Sequence, residues 1–277
     1  MKKSMLFVAA LFLGVAVNAQ VLQVTSMQKL DVPTGDVKLA GVSPKGDYLL
    51  LTNGSNRGLQ RYDISTGTLT TLSDAPGAGY NVQVSADGQE VVYRETTIGK
   101  DKLRRNTIIR KNFTKQRRSV MARNQRTNAK MATSDAQITV TINDRCIALT
   151  QNGTTTFLTP NGADKSYIWP SISPDGKKLC YYVCGVGCYV SNIDGSNPQF
   201  IAHDCRAAKW LNNNVIVAMN DQDDGERVTS STIVAYTLDG RHQTLTDNTM
   251  MAMYPYAANN VIVFTTEAGD TYMLNVK

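Results

Sequence analysis

A tight turn between two apolar runs, ISPDGKKLCYY at 172–182, recurs along the chain as VSPKGDYLLLT at 42–52, VSADGQEVVYR at 84–94 and TSDAQITVTI at 133–142. Fainter copies stand at WLNNNVIVAM, 210–219, and YAANNVIVFTT, 256–266. With Lys45, Asp87, Asp135, Asp175, Asn212 and Ala258 as equivalent points, the steps are 42, 48, 40, 37 and 46 residues. A strand-rich unit repeating at about 40–45 residues is the signature of one four-stranded propeller blade. No helical periodicity of useful length competes with it after residue 20.

The second half of each repeat supports the same reading. LQRYDISTGTLTTLSD, TIIRKNFTKQRRSVMAR, IALTQNGTTTFLTPNG, YVSNIDGSNPQFIAHD and TIVAYTLDGRHQTLTDN each place a strand, a polar turn and another strand. Gly and Asn supply the positive φ that hairpin turns demand, and Pro174 presets the turn before Asp175 and Gly176. Each Ser-x-Asp-Gly-like turn then joins the first two strands of a blade. Six copies predict an all-β, six-bladed propeller of four-stranded antiparallel blades. The sixth copy ends at Lys277 one strand short, and VLQVTSMQKLDVP near the other terminus offers the missing one. Pairing of Gln28–Val32 with Thr271–Val276 would close the ring and remove its exposed edges.

The first residues, MKKSMLFVAALFLGVAVNAQ, have the charged, apolar and small-residue order of a secretory signal, with cleavage expected after Ala19. The expected organisation is a signal peptide over 1–19 and one propeller domain over 20–277, periplasmic or secreted, with no transmembrane anchor in the mature chain. The formal charge of +6 is unevenly spread: residues 100–130 hold twelve Lys and Arg against Asp101 alone, on a mildly acidic body. Export and the scarcity of interleaved aromatics, with Phe113 alone in that stretch, argue against nucleic acid. A solvated rim on blade 2, or attraction to an acidic partner or anionic envelope surface, accounts for the charge.

The SPDGKKLCYY and SADGQEVVYR copies resemble the WD-like repeat of the TolB propeller, over almost all of the mature chain. The resemblance implies the fold, the envelope compartment and a binding role. It does not extend to TolB's additional α/β domain, for which this chain has no room, nor therefore to the Pal lipoprotein.

Chemistry is sparse. No G-x-S-x-G elbow is present, and His203 and His242 are the only imidazoles, both near outer-strand turns. The turns lack the Trp and the spacing of a sialidase box. NDQDDGER at 220–227 puts its Gly one place early for a calcium loop and reads as a solvated inter-strand loop. CYYVCGVGC lacks the paired motif or His set of a zinc site, so neither metal nor cofactor is expected. Of the five cysteines, Cys184 and Cys188 flank a glycine-rich hairpin, where a disulfide and two separate thiols are both open.

The links from each outer strand to the next inner strand gather at one mouth of a propeller's central channel. Here they collect Tyr80, Lys165, Tyr167, Trp169, Arg206, Tyr254 and Tyr256, the residue types that dominate binding hot spots. Aromatics just before an inner strand, Trp169 and Trp210 among them, also pack between blades. The sequence thus points to an exported, non-enzymatic binding module for an envelope protein or peptide, an acidic one included. The alternative is a carbohydrate-active or peptide-cleaving propeller with dispersed site residues.

Overall fold

The computed structural model describes residues 20–33, 35–125, 131–133 and 138–277. The expected signal segment and the turn at Asp135 lie outside the described residues. Strand β1, Val24–Leu30, precedes six sheets laid out in chain order. Blade 1 is β2 (Lys38–Val42), β3 (Tyr48–Thr52), β4 (Leu59–Asp63) and β5 (Thr68–Ser73). Blade 2 is β6 (Gln83–Val84), β7 (Glu90–Ile98), β8 (Arg104–Asn112) and β9 (Arg117–Gln125). Blade 3 contributes three strands among the described residues, β10 (Ile138–Asn143), β11 (Cys146–Gln151) and β12 (Thr154–Leu158). Blade 4 is β13 (Tyr167–Ile172), β14 (Lys178–Val183), β15 (Gly187–Asn192) and β16 (Gln199–Ala202). Blade 5 is β17 (Arg206–Trp210), β18 (Val215–Asp223), β19 (Val228–Thr237) and β20 (His242–Thr244). Blade 6 is β21 (Ala252–Ala258), β22 (Val261–Thr266) and β23 (Thr271–Val276), completed by β1.

Every pairing is antiparallel, and successive blades pack face to face around a ring that closes where β21 meets β2. Each blade interface has its own apolar cluster. Leu49, Leu51 and Tyr62 of blade 1 meet Val261 and Val263 of blade 6, while Val217 and Ile233 of blade 5 meet Ile262 and Phe264. The cluster between blades 2 and 3 is the smallest, with Met131 set against Val92 and Ile108.

The recurring turn works as its residue types suggest. In blade 4 the Ser173 hydroxyl donates to the Asp175 carboxylate at 2.6 Å and accepts from the Lys178 N–H at 2.9 Å. In blade 2 Ser85 repeats this with Asp87 at 2.6 Å and the Glu90 N–H at 2.9 Å. Gly176 and Gly88 follow at φ 71° and 74°, where a side chain would be strained. The Ser hydroxyl, more than any other cause, holds the Asp87 and Asp175 carboxyls below their ordinary pKa. Replacing Ser173 by Ala leaves a buried N–H without its acceptor, and urea unfolding should show a loss of about 1–3 kcal/mol.

Ring closure matches the expected pairing. Strand β1 lies beside β23 with Gln28 opposite Met273, Lys29 opposite Tyr272 and Leu30 opposite Thr271. Gln23 and Lys277 exchange both backbone hydrogen bonds at 2.9 Å, and Lys29 reaches Asp270 at 2.8 Å. Ahead of β1, the Gln243 side chain of blade 5 accepts from the N–H groups of Val21 and Leu22 and donates to the Leu22 carbonyl. Deleting residues 21–32 strips β23 of its partner and removes the buried Leu22, Leu30 and Val32. At 1.5–3 kcal/mol for each buried side chain, the loss should be roughly 5 kcal/mol. A melting curve that stays in place would contradict the closure.

Candidate functional site

In an antiparallel blade the turns between first and second strands lie on one face of the ring. The loops between second and third strands, and the links onward to the next blade, lie on the other. The second face carries the channel mouth. Inner strands enter it through a shared irregularity: register shifts fall between Ile168 and Ser171, Arg206 and Lys209, and Met253 and Tyr256. At these shifts Trp169, Ala207 and Tyr254 take left-handed φ values of 51°, 53° and 49°, and Asn81, just ahead of β6, does the same at 54°. A bulge re-aims side chains, and for bulky Trp and Tyr this conformation is costly. Sequence reading missed the device because Asn, Trp, Ala and Tyr share no signature; Pro170 and Pro255 after two of them are the only common mark.

The mouth candidates separate into three groups. Tyr80 and Tyr254 are the exposed aromatics, 43% and 46% accessible. Tyr80 is braced from beneath by the Arg94 guanidinium 4.2 Å from its ring centroid. Lys165 is half-buried and pairs with Asp164 at 3.0 Å. Trp169, Arg206 and Tyr256 are half-buried. The Trp169 ring meets Tyr182 edge-on at 5.6 Å. Tyr256 faces Lys209, whose ammonium lies 5.1 Å from its ring centroid. Both sit on inner strands two residues before the turn, beside the channel, where protein surrounds them although each keeps some accessible surface. Burial pulls the Lys209 ammonium below its ordinary pKa and pushes the Tyr256 phenol up to about 12.

Tyr167 is the exception. It is fully buried, its ring set edge-on to Tyr181, and its hydroxyl accepts from the Asn161 N–H and donates to the Gly162 carbonyl, both at 2.9 Å. It orders the link from blade 3 to blade 4 from within and offers no surface at the mouth. Trp210 likewise packs between blades 4 and 5, its indole N–H donating to the Ser171 carbonyl at 3.0 Å.

Arg206 is held by Asp221 at 2.7 Å, with Asp223 at 3.9 Å. Burial opposes the Arg206 charge, yet the facing Asp221 carboxylate lifts its pKa above the ordinary value. The Asp221 side chain is almost wholly enclosed, one carboxylate oxygen has no hydrogen-bond partner, and burial raises its pKa against the pull of Arg206. A raised carboxyl favours the folded state while protonated. Its contribution is full below pH 3.8 and is lost as pH rises through its folded value. Wild type should therefore lose stability relative to Asp221→Asn as pH rises above 3.8, the ordinary value for Asp. Denaturant unfolding at several pH values checks this, and a constant difference would contradict it.

Of the two arrangements open for Cys184 and Cys188, the structure has separate thiols. Cys188 lies on β15 opposite Tyr182, while Cys184 is exposed in the turn beyond the last paired residues, Val183 and Gly187. The register sets Cys188 diagonally beside Cys180, sulfur to sulfur 3.5 Å, with Cys205 packed against the same cluster. All three are buried, and the hydrogen bond with Cys188, followed by burial, raises the pKa of Cys180. His203 contacts the Val186 carbonyl at 2.8 Å and His242 sits exposed on β20 beside Tyr236; no acid, serine or cysteine orients either ring among the contacts described. Among the described residues no group of three His, Cys, Asp or Glu is placed to hold a metal ion, and no helix is long and apolar enough to cross a membrane.

A second concavity of about 520 Å³ opens between blades 1 and 2 on the opposite face. The Arg61 guanidinium lies against both Tyr48 and Phe113, 4.2 and 4.5 Å from their centroids, with Lys111 and Arg118 completing a cationic wall.

No protein-family model matches the chain, and no curated protein matches its sequence. Solved structures do match. A TolB candidate from Agrobacterium tumefaciens superposes with a TM-score of 0.57 at 18% identity, over 89% of this chain and 91% of that one. An oligogalacturonate lyase solved with manganese gives 0.51 at 15% identity, over 85% of this chain and 76% of its own. At such identities the likeness establishes the fold, that of a TolB-like six-bladed β-propeller.

Proposed function

We propose that this propeller is an exported, non-enzymatic binding module whose channel mouth captures a protein or peptide of the bacterial cell envelope. The observation that carries this reading is the pair of exposed tyrosines on the mouth face, one of them held in a left-handed conformation. Strained backbone under an exposed aromatic is a feature of surfaces kept for recognition. Around the pair stand Lys165, Arg206 and Trp169, which offer charge and a further ring. The TolB-like fold agrees with an envelope role, and the signal-like N-terminal sequence agrees with export to the periplasm or beyond.

The enzymatic alternative needs a nucleophile with its base, or two carboxylates set across a pocket. Of the acids beside the mouth candidates, Asp221 and Asp223 face Arg206, and Asp164 pairs with Lys165. That arrangement favours a positioning or recognition role over bond cleavage.

Binding should be tested with immobilised protein in envelope extract, followed by titration of the recovered partner. Changing Tyr80 and Tyr254 together to Ala should weaken capture at least 30-fold, about 2 kcal/mol at hot-spot values. Circular dichroism and melting temperature should stay near wild type, because both rings are exposed. Tyr167→Ala gives the contrast, a stability loss of about 3–5 kcal/mol typical of an emptied aromatic site in a core. Capture that survives the Tyr80 and Tyr254 change would move the site to the basic groove between blades 1 and 2.

A further inference from the structure

Two hairpins on the mouth face outgrow the others. Strands β7 and β8 of blade 2 each have nine residues, and β18 and β19 of blade 5 have nine and ten, against five or six for their counterparts elsewhere. Strands β7 and β18 run out from the turn face and β8 and β19 return to it, so the extra residues project beyond the mouth, by roughly 10 Å at about 3.3 Å per residue. Blades 2 and 5 stand three places apart in a ring of six, which puts the hairpins diametrically across the channel.

Their tips carry opposite charge. Lys100, Lys102, Arg104 and Arg105 crowd the blade 2 tip against Asp101, which Arg105 takes. Lys100, Lys102 and Arg104 form no ion pair among the described residues, and Ile98 and Leu103 stand out beside them, 68% and 49% exposed. The blade 5 tip carries Asp223, Asp224 and Glu226; Arg227 lies 3.8 Å from Asp224, and Arg206, already held by Asp221, lies 3.9 Å from Asp223, so the exposed tip keeps a net negative charge.

A positive and a negative prong at opposite ends of one diameter are self-complementary under a two-fold axis. With the axis in the plane of the ring and perpendicular to that diameter, blade 2 of one copy lies over blade 5 of the other, and the reverse holds by symmetry. The same rotation carries the link bearing Tyr80 over the link that leads into Tyr254. We propose that the mouth face pairs with a second copy of this chain, face to face, through these two prongs. The arrangement is a closed, isologous dimer. Its contacts are hairpin tips rather than a broad apolar surface, so association is weak and depends on salt. The proposal does not rest on the envelope-binding reading; a partner at the mouth would compete with the second copy.

Sedimentation of residues 20–277 tests it. At roughly 50 µM protein the weight-average mass should approach that of a dimer in about 20 mM salt and return to that of a monomer in about 500 mM, where charges are screened within a few Å. One variant, Lys100→Glu with Lys102→Glu and Arg104→Glu, has two acidic prongs. Another, Asp223→Lys with Asp224→Lys and Glu226→Lys, has two basic ones. Each alone should stay monomeric at low salt, and an equimolar mixture should form a heterodimer, which a merely misfolded variant cannot do. Wild type that stays monomeric at low salt, a single variant that still pairs with itself, or a mixture that fails to associate overturns the proposal.

Discussion

The ring stands or falls on the pairing of β1 with β23. Five of the six interfaces join sheets adjacent in sequence, but blade 6 has to recruit its outer strand from the far end of the chain. The two termini are locked by reciprocal backbone bonds between Gln23 and Lys277, and the Gln243 amide fastens the approach to blade 5. Without that strand the Tyr272 and Leu274 side of the last blade loses its cover, and the clusters linking blade 6 to blades 5 and 1 lose Leu22, Leu30 and Val32. Closure is also what makes a channel, and so a mouth with links converging on it.

Within the closed ring, one local device shapes the mouth. Three inner strands, β13, β17 and β21, break their ladder before the turn, each with a left-handed residue at the break. Below the break the strands set Ser171, Lys209 and Tyr256 at one level of the channel, two residues before the turn. Above it, the same strands leave Tyr254 exposed and turn Arg206 towards Asp221. Recognition chemistry at the rim and packing chemistry below it thus follow from one repeated irregularity.

Much of the fold was legible because its signals are local. Ser, Asp and Gly at fixed offsets define a turn whose hydrogen bonds are made within a few residues, and the count of such turns gives the count of blades. The missing strand was legible too, since a sixth repeat cut short at Lys277 needs a partner. The site was less so. Tyr80, Tyr167 and Tyr254 look alike in their links, yet Tyr167 folds its hydroxyl into a loop it orders, while the other two stand in solvent. That difference is set by where each ring sits relative to the bulge and by which loop closes over it, neither of which composition records. Cys184 and Cys188 flank a glycine turn, but register and side-chain alternation put Cys188 beside Cys180 instead. The length of the blade 2 and blade 5 hairpins was visible only as charge, in KDKLRR and NDQDDGER.

Hydrogen exchange at the amides that join β1 to β23 tests the closed ring most directly. If the two termini form one cooperative blade, the bonded amides of Val24–Leu30 and Thr271–Val276 should exchange together, with a free energy close to that of global unfolding. Rapid exchange of Val24–Leu30 while Thr271–Val276 and the other blades remain protected would show that the N-terminal strand is a loose attachment, and would contradict the account.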